Sequence, residues 1–238
     1  VIAVIGTVPY IALQLKVISS SVGTLIFDFN DDLAFQFPAI GDISILIALT
    51  LALFAILFGT RHADATEHQH GLMLAIAMES LVKLVAFLCV GAFVTFVMFD
   101  GVQDLFSQAR QDPNVQEILN RGFDGGNFAI LTFLSLIVFL LLPRQFHVAV
   151  VENNSQAELN RARWLFPLYL IAINLFVIPV AIAGALKFGT SVNADDFVLL
   201  LPLESRGLVS LVAFIGGLSA GTAMVVVACV ALAIMISN

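Results

Sequence analysis

Six apolar runs, at residues 1–19, 41–59, 68–99, 127–151, 161–187 and 206–237, restrict what this chain can become. The hydrocarbon core of a bilayer is about 30 Å thick, which a helix crosses in about 20 residues. Each run approaches or exceeds that length. None shows the period-2 alternation of a membrane β-barrel strand, so helices are the spanning solution, because backbone groups in lipid must be paired within the segment. The sequence therefore predicts an all-α polytopic membrane protein with six transmembrane helices. Composition agrees: 60% of residues are hydrophobic and 11% charged, against about 25% charged in a soluble domain. A net charge of −7, with ten Lys and Arg in all, leaves no basic surface for a nucleic-acid backbone. Cys89 and Cys229 sit inside apolar runs, away from any CxxC or Cys/His spacing, and read as buried small hydrophobes.

The chain begins at Val1 inside an apolar run, with no basic segment or cleavage site before it, and stops at Asn238 directly after another. It reads as an internal fragment of one larger transmembrane domain. The second-to-third and fourth-to-fifth connections, 60–70 and 152–160, are short and flanked by Arg61, Arg144, Arg161 and Arg163. The other three are longer and acid-rich. The density of Lys and Arg places the short loops, and with them both ends of the chain, on the cytoplasmic side. Within the third-to-fourth connection, Asp112-Pro113-Asn114 marks a turn, and Val115 to Leu119 a short helix.

Five groups of residues could carry chemistry. Glu79 and Lys83 lie four apart with the acid first, the better orientation for an ion pair on one helix face. Inside a membrane such a pair marks a solute or ion path; near the interface it only anchors the helix. Ser219 and Thr222, three apart, present hydroxyl oxygens to a hard monovalent cation, or bond back to their own helix. Around them, Gly217 and Gly221 form a GxxxG pair that lets another helix approach closely. Tyr10 and Gln14 share a face just past Pro9, which is expected to break the first helix, and either contact a polar solute or pair between helices. Pro143 interrupts the fourth helix in the stretch Leu142 to His147, which also offers Gln145 to a solute path. A broken membrane helix either lines a cavity or simply kinks. The string Arg61 to His70 is dense in metal-ligand residue types, but His147 is the only other histidine. It reads as a polar turn with Asp64 or Thr66 capping the next helix, and no metal site or cofactor is expected. No catalytic motif is present.

The order of these features resembles the middle of the sodium/solute symporter family. Pro9-Tyr10-Ile11-Ala12-Leu13-Gln14-Leu15, Phe58-Gly59-Thr60-Arg61-His62, Asp64-Ala65-Thr66-Glu67, Glu79 to Phe87, Leu142 to Glu152 and Gly216-Gly217-Leu218-Ser219-Ala220 carry the likeness. More specifically they resemble the symporter-like input domains of bacterial hybrid sensor histidine kinases. The resemblance implies a LeuT-like fold of two inverted five-helix repeats around a central solute site, with the six runs matching the third to eighth core helices. It implies Na+-coupled symport of a small polar organic solute, such as an amino acid, across a bacterial inner membrane. The alternative is a sensory input domain feeding C-terminal kinase domains. Ser219 matches the family's sodium-binding serine, whereas the adjacent threonine is Ala220; Pro143 is kept, whereas the family's following histidine is Arg144.

Overall fold

The computed structural model describes residues 2–29, 43–58, 70–113, 115–116, 124–141, 150, 155–189, 191–205 and 207–237. Regular structure among them is helical: α1 (Ile2–Phe29), α2 (Ile43–Phe58), α3 (His70–Phe93) with a π-helical turn at Val94–Met98, α4 (Val102–Ala109), α5 (Gly125–Leu141), α6 (Gln156–Asn174), α7 (Val177–Phe188), a 3₁₀ turn at Ala194–Asp196, α8 (Phe197–Leu203) and α9 (Leu208–Ser237). Among the described residues, four segments are long and apolar enough to cross a membrane: Val4–Gly23, Leu74–Met98, Gln156–Phe188 and Leu208–Ala233. The apolar segment Gly125–Val138 is shorter, and α2 has 16 residues. Large apolar side chains such as Phe133, Leu168 and Ile171 are exposed, and α6 buries none of its residues. Surface of that kind is untenable in water and natural in lipid, so the described helices have the makeup of a membrane-embedded protein.

Several boundaries differ from the sequence expectation. Pro9 does not break the first helix, which runs unbroken from Ile2 to Phe29; a membrane helix can accommodate a proline by local adjustment of the freed backbone groups. The fifth apolar run is two helices, not one. Pro179 has no N–H for the Leu175 carbonyl and crowds it, and the helix opens at Leu175 and Phe176, where the Leu175 N–H bonds Ala172 O at 3.3 Å and Val180 N–H restarts on Phe176 O at 3.0 Å. At its other end this run starts at Gln156, inside the expected loop. Ser155 Oγ accepts the Glu158 N–H at 3.3 Å and caps it. The long connections also hold α4 and α8, neither of them expected. Of the anticipated helix at 115–119, Val115 and Gln116 are helical and the rest lies outside the described residues. Cys89 is exposed and Cys229 half-buried, so neither is a fully buried hydrophobe.

The chain divides into two compact units. The first comprises Val1–Ser80, Gly125–Leu159 and Leu218–Asn238. In it α1 packs on α2, and Ile18, Leu51 and Val225 form a core flanked by Ile11, Leu15, Ile47 and Leu218. Gly221 makes that approach possible, since a Cβ there would stand 2.4 Å from Ile18 Cγ1. Between helices in lipid such van der Waals fit, rather than water exclusion, supplies the attraction.

The second unit comprises Leu81–Asp124 and Asn160–Gly217. The π turn, α4 and α8 all pack on α7. The helix opening before Pro179 seats Phe176 against Gly91, and Gly184 makes room for Phe197. After the π turn, Gly101 takes φ +111°, a conformation that favours glycine. It releases the chain into α4, which turns Leu105 and Ala109 inward, one turn apart, and leaves Ser107 and Gln108 exposed.

Candidate functional site

The middle turns of α9 gather most of the residues that the sequence singles out. At about 100° per residue, Ser219 and Thr222 lie about 60° apart on one flank of α9, and Gly221 and Met224 about 60° apart on another. The first flank meets α3. Thr222 Oγ1 donates to the Glu79 carboxylate oxygen Oε1 at 2.7 Å, and Ser219 Oγ donates to the Glu79 backbone carbonyl at 3.3 Å. Thr222 also has the carbonyls of Leu218 at 3.0 Å and Ser219 at 3.2 Å within reach. A hydroxyl owns one proton, so these three acceptors share it, and the carboxylate is the nearest. Both readings of Thr222 are thus present at once, the outward bond and the bond back to its own helix.

The second flank meets α1. Tyr10 donates its hydroxyl to the Met224 sulfur at 2.7 Å, a partner not anticipated from sequence. Gln14 is half-buried one turn further on, and its backbone carbonyl stands 4.0 Å from where a Gly221 Cβ would be. Tyr10 and Gln14 therefore sit at a helix–helix contact on α9, on a different side from Glu79.

Depth follows from counting. Thr222 lies 14 residues after Leu208 and 11 before Ala233, the ends of its apolar run. At 1.5 Å per residue that is about 21 and 16 Å from the ends, close to the middle. The Glu79 carboxylate, hydrogen-bonded to it, shares that level. Glu79 and Lys83 are both half-buried in α3 with the expected spacing, and Lys83 is engaged. The structure adds that Glu79 reaches across to α9, which its position alone did not reveal.

The expected GxxxG pair is revised. Gly217 has nothing within 4 Å of a Cβ position, while Gly216 would place one 2.4 Å from the Ala86 Cβ. The close approaches are at Gly216, toward α3 in the second unit, and at Gly221, toward α1 in the first. Pro143, Gln145 and the string Arg61 to Gln69, with its candidate caps Asp64 and Thr66, lie outside the described residues. Among those described, no group of His, Cys, Asp and Glu is arranged to hold a metal ion.

No family model matches the chain, and no curated protein or solved structure is found similar to it.

Proposed function

We propose that the chain belongs to a cation-coupled symporter that carries a small polar organic solute, an amino acid or a related carboxylate, across a bacterial inner membrane by alternating access. One observation carries the reading: the Glu79 carboxylate lies 2.7 Å from the Thr222 hydroxyl, with Ser219 beside it, at the middle of an apolar run. An ionised carboxylate at that depth is costly unless a cation offsets it. Two hydroxyl oxygens and a carboxylate are the hard oxygen ligands that Na+ accepts. Ligands drawn from α3 and α9 tie cation occupancy to the fit between those helices, which is what coupling requires. Lys83, one turn beyond Glu79, supplies the balancing charge when the cation leaves. Tyr10, Gln14, Pro143 and Gln145 border the solute path in this reading, within a six-span LeuT-like architecture whose lipid-facing sides carry the exposed apolar residues.

The test is uptake of a labelled amino-acid panel into proteoliposomes holding the full-length protein, with and without an inward Na+ gradient. Accumulation driven by Na+, and loss of that dependence in Glu79→Gln and Ser219→Ala, is the expected result. Sodium dependence unchanged in both variants would remove α9 from the cation site. Saturable binding with no accumulation would favour the sensory input domain over the transporter.

A further inference from the structure

Two apolar runs end at one cavity. The run Leu74–Met98 finishes at Met98, and Gln156–Phe188 finishes one residue past Lys187. Met98, Phe99 and Lys187, with Leu186 beside it and Gln108 and Asp112 at the end of α4, line a surface cavity of about 510 Å³. All of them belong to the second unit. The cavity thus sits where apolar helix gives way to polar chain, at the edge of a bilayer.

Its lining combines three kinds of surface. Met98, Phe99 and Leu186 are apolar. Lys187 brings an ammonium held by an ion pair with Glu204. Asp112 brings a carboxylate whose Oδ1 accepts the Val115 N–H at 3.2 Å, and Gln108 a carboxamide whose nitrogen donates to Asp104 Oδ2 at 2.8 Å. Each polar group is set by a neighbour before any ligand arrives, which lowers the ordering cost of binding. None is exhausted by that neighbour, because an ammonium has three donors and a carboxylate about four acceptor positions. The volume falls within the roughly 300–1,000 Å³ of small-molecule sites. Glu204 already offsets the Lys187 charge, so charge alone does not sort ligands here; a molecule carrying both signs can use the remaining ammonium donors of Lys187 and a carboxylate acceptor of Asp112 together, where a singly charged one uses only one of them.

We propose that this cavity binds a small zwitterion, with the ligand's anionic group on Lys187, its ammonium on Asp112 and its apolar part against Met98, Phe99 and Leu186. Two sources share that chemistry, a free α-amino acid in the aqueous phase and the ethanolamine headgroup of a bilayer phospholipid. The site stands apart from α9 and does not depend on the transport reading.

The experiment uses the full-length protein in nanodiscs of mixed phosphatidylglycerol and phosphatidylethanolamine, in sodium-free buffer. Equilibrium binding of labelled L-leucine is measured against 4-methylpentanoate and 3-methylbutylamine, its two singly charged halves, while retained lipid is weighed by native mass spectrometry. A free amino acid shows as saturable leucine binding that either half displaces at least tenfold less well than leucine. A lipid source shows as phosphatidylethanolamine kept in preference to phosphatidylglycerol. In either case Lys187→Gln and Asp112→Asn weaken the ligand at least tenfold, and Lys187→Arg retains it, which separates lost charge from lost fold. Selectivity for neither zwitterion, halves that compete as well as leucine, or binding unmoved in both variants would overturn the proposal. Leucine binding lost in Glu79→Gln but kept in Lys187→Gln would also overturn it, while leaving the transport reading intact.

Discussion

The hydroxyl of Thr95 is fully buried and has no hydrogen-bond partner among the described residues. In an α-helix a threonine commonly bonds the carbonyl one turn back; Thr95 stands in the π turn instead, and its hydroxyl makes no such bond. There Phe99 N–H reaches Val94 O at 3.2 Å, and Gly101 N–H reaches Thr95 O at 3.0 Å. A buried hydroxyl without a partner costs about 1–3 kcal/mol. Thr95→Val, nearly the same shape without that group, should therefore stabilise the protein by about 1 kcal/mol, read as a higher unfolding midpoint in detergent. Glu79 gives a contrasting case. Glu79→Gln keeps an oxygen acceptor for Thr222 and should leave the midpoint within about 0.5 kcal/mol, while Glu79→Ala removes side-chain packing at a half-buried position and should cost about 1 kcal/mol more. Equal midpoints for the two would show that the carboxylate does not pack against α9.

At the scale of elements, close packing decides what a glycine is worth. At Gly216 an added Cβ meets the Ala86 Cβ, which has no torsion to move it aside, so the backbones must part; at Gly217 there is open space. Gly216→Ala should cost about 1–3 kcal/mol, whereas Gly217→Ala should be neutral or mildly stabilising. Thermal unfolding of the two variants side by side checks this. Ser155→Ala should cost about 1 kcal/mol by removing the cap, seen as faster amide exchange at Gln156 to Leu159. That cap was readable in advance: Ser155-Gln156-Ala157-Glu158 is the S-x-x-E pattern that opens helices, hidden because hydropathy marks polar residues as loop. Helix α4 was readable too, from apolar Val102, Leu105, Phe106 and Ala109 at helical spacing. The helices themselves were legible because a long apolar run has one way to satisfy its backbone. The two prolines were not ranked by sequence: Pro9 stays within α1, whereas the helix opens before Pro179, and hydropathy does not tell the two apart. Likewise no periodicity could say that Gly216 rather than Gly217 is the close contact, nor that Glu79 and Thr222, 143 positions apart, share a bond, since both depend on how helices pack.

For the molecule as a whole, α3 and α7 deliver their C-terminal ends to the same cavity, so the two runs finish on one side of the bilayer. The loop charges lead to the expectation that this side is outside and that the start of α6 is in the cytoplasm. Arg163, whose guanidinium lies 5.9 Å from the Trp164 ring centroid, suits the membrane–water boundary where aromatic and basic residues collect. In a background carrying Cys89→Ala and Cys229→Ala, single cysteines at the exposed positions Ser107 and Ser191 should react with a membrane-impermeant maleimide on intact cells, and one at Ser155 only after permeabilisation. The reverse pattern would invert the topology. The three acceptors around Thr222 have one more consequence. A group that changes partners usually strands a donor when its partner is taken, and deep in lipid a stranded donor is costly. Here the proton can swing from Glu79 onto the Leu218 or Ser219 carbonyl of its own helix. Whatever arrives at the carboxylate, whether proton or metal ion, therefore displaces a hydrogen bond that re-forms at once elsewhere. Thr222 can thus give up Glu79 without losing its hydrogen bond, because α9 supplies the replacement acceptor itself.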